Sequence, residues 1–257
     1  MFEAMLSAAS GLMGQQRRID TIADNLANVN TAAFKGSRLN FQDMLYVDGR
    51  YPYRDAAQNQ QKGHGVLTAS ISRNFSVGSL SETDRELDFA IEGEGFFMVL
   101  APDSSIYYTR QGNFYLSNID DEMYVVNSRG HFILDDGETP IILPAEAASF
   151  SLDTEGEITF SGSEGFMKQG GYIGIRAFIN PDGLSARGSN YYEPTVASGE
   201  AEVTERFRVR QGVLEMSNVD LAQEMTRMIR TQRAFSLASR ALTTADDMEG
   251  IANNMKR

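Results

Sequence analysis

Apolar or small side chains recur along the first segment at Phe2, Met5, Ala9, Leu12, Ile19, Ala23 and Leu26, in alternating three- and four-residue steps that only Gln16 interrupts. No proline falls between Ala4 and Ala27, and Gln15, Arg17, Arg18, Asp20 and Asp24 lie mostly off that seam. The pattern predicts an amphipathic helix of about 40 Å. Asn28-Val29-Asn30-Thr31 tolerates turn and left-handed backbone and should end it. The other end of the chain mirrors this. Leu221, Met225, Met228, Phe235, Leu242, Ala245, Met248, Ala252 and Met255 fall at helical spacing, with Gln232 inside the seam as Gln16 is inside the first. Ser217-Asn218-Val219-Asp220 before it has the spacing of an N-terminal capping box.

Between the ends the period changes. Short β-rich runs occur at residues 96–100, 106–109, 112–116, 123–126, 131–134, 141–143, 158–160 and 172–178. Pro102-Asp103, Arg129-Gly130, Asp136-Gly137, Glu155-Gly156 and Pro181-Asp182-Gly183 separate them as turn signals. Regular strands without intervening helical pattern predict an antiparallel sandwich or barrel-like body. The polar stretch from Leu45 to Gly65 is expected to be a long loop or extended connector. Residues 78–84 and 212–218 echo each other faintly, which is consistent with segments lying side by side where the chain enters and leaves the β-body.

The expected fold class is α+β: terminal helices forming a coiled-coil assembly layer, and a central antiparallel all-β domain. The expected divisions are a helical polymerisation domain of residues 1–30 with 217–257, a connector of extended and β segments over 31–75 with 199–216, and a β-rich outer domain of 76–198. Periodicity alone leaves two fates for the helices. They can close on each other within one chain, or pack between copies as heptads do. The proposed assembly interface is Phe2, Met5, Ala9, Leu12, Gln16, Ile19, Ala23 and Leu26 on the first helix, and Leu221, Met225, Met228, Gln232, Phe235, Leu242, Met248 and Met255 on the second.

Charge sharpens this division. The chain of 257 residues carries a formal charge of −12. Residues 1–46 hold four basic and four acidic side chains and residues 219–257 hold six and five, so thirteen of the 23 basic and twenty-six of the 35 acidic groups lie between. Near-neutral ends can crowd against copies of themselves at low electrostatic cost, while an acidic middle stays solvated. The charge argues against nucleic acid as a partner. Cysteine is absent, which removes disulfides and thiol chemistry. No run approaches a membrane span, and the start lacks the pattern of a cleaved secretory signal, so neither membrane insertion nor a removed leader is expected.

Candidate chemistry is sparse. His64 and His131 have no spaced partners, and Gly93-Glu94-Gly95 precedes a strand instead of opening a helix. Asp120-Asp121-Glu122 and Asp135-Asp136 lack the alternation of a calcium loop, and no carboxylate pair stands out for glycoside hydrolysis. No catalytic, metal-binding or cofactor-binding residues are assigned. Besides a structural subunit, two other classes are open: an oligomeric surface binding module, and an acidic hydrolase that would need clustered carboxylates in a cleft.

Ser10-Gly11, followed after twelve residues by Ala23-Asp24-Asn25-Leu26-Ala27-Asn28-Val29-Asn30-Thr31-Ala32-Ala33-Phe34-Lys35, resembles the N-terminal signature of flagellar basal-body rod and hook proteins. The resemblance continues through residues 87–97, 108–114, 211–220 and 224–235, and so covers the chain in order. Within that family the chain is most similar to the distal-rod type, with the proximal-rod type second. Residues 198–210 and Asn118-Ile119-Asp120-Asp121 depart from the distal-rod pattern. The resemblance implies a non-enzymatic subunit that self-assembles into a helical tube and serves as a drive shaft. It implies export through the flagellar type III apparatus and a location in the basal body outside the cytoplasmic membrane. The implied partners are copies of itself, other rod and hook proteins, and surrounding ring proteins. Asn25, Asn28, Asn30 and Thr31 would satisfy the backbone where the first helix ends, and Phe34 would anchor the segment leading on from it; Lys35 closes the family motif.

Overall fold

The computed structural model describes residues 2–48, 61–63, 65–120, 122–144, 147–162, 167–204 and 206–255. His64, Asp121, residues 49–60 of the expected connector and the side chain of Phe2 lie outside the described residues. The chain divides into two compact units. One comprises residues 1–27, 37–73 and 220–257, the other residues 28–36 and 74–219.

The first unit contains the two long helices, α1 (Phe2–Ala27) and α2 (Leu221–Asn254), which pack against each other. The start of α2 corrects the sequence reading. Asp220 is itself the N-cap, its carboxylate accepting from the backbone of Ala222 at 2.9 Å and Gln223 at 3.1 Å. Ser217 instead accepts from Val219 N, because the chain is still extended at that point. The capping role thus falls to the residue adjoining the helix, where a carboxylate also meets the positive end of the helix dipole.

The same unit holds an antiparallel pair, Ser37–Asp43 with Val66–Arg73, whose register shifts between Asn40 and Phe41. A second short pair, Tyr46–Asp48 with Gln61–Gly63, extends the hairpin into the stretch expected to be loop. Two glycines permit the hairpin to approach α1. A β-carbon on Gly14 would stand 2.8 Å from the Phe41 ring, and one on Gly65, at φ +113°, would stand 2.3 Å from Ser10 Oγ.

The second unit is all-β, and its strand pairs are antiparallel. A ten-stranded sheet is joined by a three-stranded sheet, Ala147–Leu152, Glu157–Gly162 and Met167–Tyr172, and by two short ladders. Phe89, Ile91, Phe97, Val99, Phe114, Val125, Ile133, Phe150, Ile158 and Val209 fill the main core, and Phe96, Met98, Tyr108, Phe178 and Tyr192 a smaller one. One expected strand is broken. Residues 172–178 divide at Gly174, whose amide donates to Leu134 O at 2.9 Å and where a β-carbon would lie 2.6 Å from Asp135 O. Tyr172 therefore ends one strand and Ile175–Ala177 forms another. The segments of the internal echo do lie together: Val213–Glu215 pairs with Leu80–Glu82.

Candidate assembly surface and its buried junction

The described faces of α1 and α2 invert the usual order of a helix pair. On α1 the buried positions are Gly14, Thr21, Ile22 and Asn25. Thr21 returns its hydroxyl to Arg17 O, and Asn25 exchanges two 2.8 Å bonds with the backbone of Ser37. On α2 the fully buried positions are Glu224 and Thr231. Large apolar side chains stand outside. Leu6 and Met13 of α1 are exposed, as are Leu221, Met225, Ile229, Leu237, Met248 and Ile251 of α2 and Met255 just beyond its end. Of the sequence-proposed interface, Met5, Ala9, Leu12, Ile19, Leu26, Met228, Phe235 and Leu242 are half-buried, while Gln16, Ala23, Leu221, Met225, Gln232, Met248 and Met255 are exposed.

The turn after α1 belongs to the second unit. Thr31 Oγ1 donates to Asn28 Oδ1 at 3.2 Å and Thr31 N to Asn28 O at 3.1 Å; Asn30 is exposed and Phe34 half-buried. Ala33 is buried at φ +56°, a left-handed conformation unusual for alanine, and its amide donates to Glu215 O at 2.8 Å.

Lys35 is completely enclosed. Its ammonium donates to Glu215 Oε1 at 2.5 Å and to Ser76 O at 2.7 Å. Glu215, 1% exposed, also accepts from Gly78 N at 2.9 Å and from Arg110 at 3.4 Å. Arg110 is buried too, donates to Gly93 O at 2.5 Å and stacks over the Phe96 ring. Burial pushes the Lys35 pKa below its ordinary 10.5, with Arg110 adding to the fall and Glu215 opposing it. Asn218 completes the junction: it accepts from Gly36 N at 2.8 Å and donates to Asn74 O at 2.7 Å and Ser76 O at 3.1 Å. The segment following α1, the one leading toward α2, and the β-body are thereby knotted around one ion pair.

Arg110 and Glu215 were not among the sequence-assigned functional residues. Lys35 and Glu215 are 180 positions apart, so no local spacing signals the pair. The only available sign was that each lies in a stretch carrying the family resemblance.

Three family profiles match these same regions. They are "Flagella basal body rod protein" over residues 5–35, the D1 domain of "Flagellar hook protein FlgE/F/G" over 90–160, and "Flagellar basal body rod FlgEFG protein C-terminal" over 210–255. Flagellar basal-body rod protein FlgG of Borreliella burgdorferi is 41% identical, with all of both chains covered. The chain belongs to the flagellar basal-body rod protein family. FlgG of Bacillus subtilis is 37% identical, again over all of both chains, and the hook-basal body complex protein FlhP of the same organism is 29% identical. Lys35 falls at the end of the rod-protein match and Glu215 inside the C-terminal match, so the buried ion pair joins the two.

Proposed function

We propose that the chain is a structural subunit of the distal rod of the bacterial flagellum, without enzymatic activity, and that it assembles with copies of itself and with other rod and hook proteins. The observation that carries this reading is the exposure of large apolar side chains along α1 and α2. Leu221, Met225 and Ile229, at successive four-residue steps, are 46%, 52% and 52% exposed. A stripe of this kind on a near-neutral helix is suited to burial against another subunit. Residues 1–30 with 217–257 form the polymerising part, residues 31–75 with 199–216 connect it, and 76–198 form the outer domain. Within the polymer the helices pack as coiled coils through heterologous contacts, which do not close and so generate a helical tube. The tube transmits torque and conducts exported subunits. The subunit reaches its place beyond the cytoplasmic membrane through the flagellar type III apparatus, and ring proteins surround it there. Among the described residues no helix is long and apolar enough to cross a membrane.

The test is electron microscopy and light scattering of the full chain at rising concentration, beside a variant carrying Leu221→Gln, Met225→Gln and Ile229→Gln. Tubes or open-ended oligomers from the wild type, and none from an equally folded variant, are expected. Small closed oligomers that persist in the variant would favour a binding module instead.

A further inference from the structure

The chain passes between the two compact units four times, after residues 27, 36, 73 and 219. On the side of the β-unit, three of these passages meet at one side chain. Asn218 Oδ1 accepts from Gly36 N at 2.8 Å, its Nδ2 donates to Asn74 O at 2.7 Å, and Asn74 N donates to Gly36 O at 2.9 Å. The three segments thereby close a triangle of hydrogen bonds. Asn218 Nδ2 also reaches Ser76 O at 3.1 Å, and its backbone amide donates to Phe34 O at 3.3 Å. The fourth passage is tied apart from the triangle, by Asn190 Nδ2 on Ala32 O at 3.0 Å and by Ala33 N on Glu215 O at 2.8 Å. A primary amide suits this corner because it offers a donor and an acceptor at short reach from the backbone, and the half-buried Asn218 uses both. A carboxylate of the same size accepts but cannot donate.

We propose that Asn218 is the positioning residue of a load-sharing collar. It lashes three of the four passages together where they leave the β-unit, so that force reaching one of them is borne by all three. This role rests on the proposed rod function, in which each subunit carries torque. A force carried along the chain from one unit to the other has no route but these four segments. With the triangle closed, drawing out residue 36, 74 or 218 requires breaking its bonds to the other two. With the triangle open, each segment yields alone, and forced opening follows the barrier of the weakest one.

The experiment compares the full-length wild type with two variants. Asn218→Asp keeps the acceptor for Gly36 N but sets a carboxylate against Asn74 O and Ser76 O, and Asn118→Asp makes the same change of charge on an exposed strand position. Hydrogen exchange of the free subunit should show protection at Gly36, Asn74 and Asn218 lowered about tenfold or more in Asn218→Asp alone, with the buried strand residues Phe97, Met98 and Val99 unchanged. In native cells, rods counted by electron microscopy should be as numerous in both variants as in the wild type, and swimming should be equal in dilute medium. Asn218→Asp cells should stop at a several-fold lower viscosity. Unchanged exchange at the triangle overturns the proposal, as does a loss of protection that spreads to the core. So do missing rods in Asn218→Asp cells, and a viscosity limit that equals the wild type's or is shared with Asn118→Asp. A wild-type chain absent from the rods would count against the rod function instead, and the exchange comparison would still decide whether Asn218 holds the triangle.

Discussion

Replacing Lys35 with methionine removes the ammonium but keeps the apolar stem that fills its enclosed site. Glu215 Oε1 loses its 2.5 Å partner and Ser76 O its 2.7 Å partner. Some compensation remains. Glu215 keeps Gly78 N at 2.9 Å and Arg110 at 3.4 Å, and Ser76 O keeps Asn218 at 3.1 Å. Breaking a buried ion pair from one side costs about 3–5 kcal/mol, and this compensation places Lys35→Met near the lower end, about 3 kcal/mol. For a β-unit of this size that corresponds to a fall in Tm of about 6–12 °C. Glu215→Gln, which leaves two buried cations without a carboxylate, should cost more, near 5 kcal/mol.

Urea unfolding of the full chain followed by tyrosine near-UV circular dichroism gives these values, and the double variant closes a mutant cycle. The pH dependence is a second handle. Because the folded pKa of Lys35 lies below 10.5, the unfolded chain binds the proton more tightly over that interval, and wild-type stability should rise as pH climbs from the lowered value toward 10.5. Lys35→Met should lack that rise. A loss under about 1 kcal/mol for Lys35→Met, or strictly additive single and double variants, would refute the view of the ion pair as the junction's fastener.

Gly78 tests the same junction through backbone, since a β-carbon there would lie 2.1 Å from Met216 O. Gly78→Ala should cost about 1–3 kcal/mol and lower exchange protection at Met216, while Gly11→Ala, with open space around it, should strengthen α1 by up to about 1 kcal/mol in the free subunit. His131 stacks on Tyr191, and burial together with Arg129 lowers its pKa below 6.5 against the opposing pull of Asp103. Stability should therefore decline as pH falls below 6.5 toward that lowered value, because the unfolded imidazole takes the proton first. His131→Gln should flatten this part of the pH profile in thermal melts, and an unchanged slope would show that the histidine is not its source.

The two helices were legible because a three-to-four apolar period extends for seven turns or more, far longer than chance alternation. The strands at 96–100 and 106–109 were legible for a related reason, each being a short β-rich run closed by turn residues. Some β character was expected in residues 31–75, but the pairing of Ser37–Asp43 with Val66–Arg73 was not, nor was Ser185–Gly188 as a strand, since these strands are mostly exposed and their alternation is short or absent. Residues 172–178 looked continuous because composition cannot report that Gly174 lies against another strand's backbone.

The class of architecture, the division of charge between near-neutral ends and an acidic middle, and the family could all be read from residue order alone, because they reside in composition and local pattern. Which helix faces are covered became visible only in the folded chain. A seam read from spacing names the candidates, but whether Leu221 or Glu224 is buried depends on the rotation of α2 against α1. Folding also decided the partners of Lys35. A buried charge is tolerated only where distant chain supplies a counter-charge, and that pairing, across 180 residues, exists only once the β-body has closed.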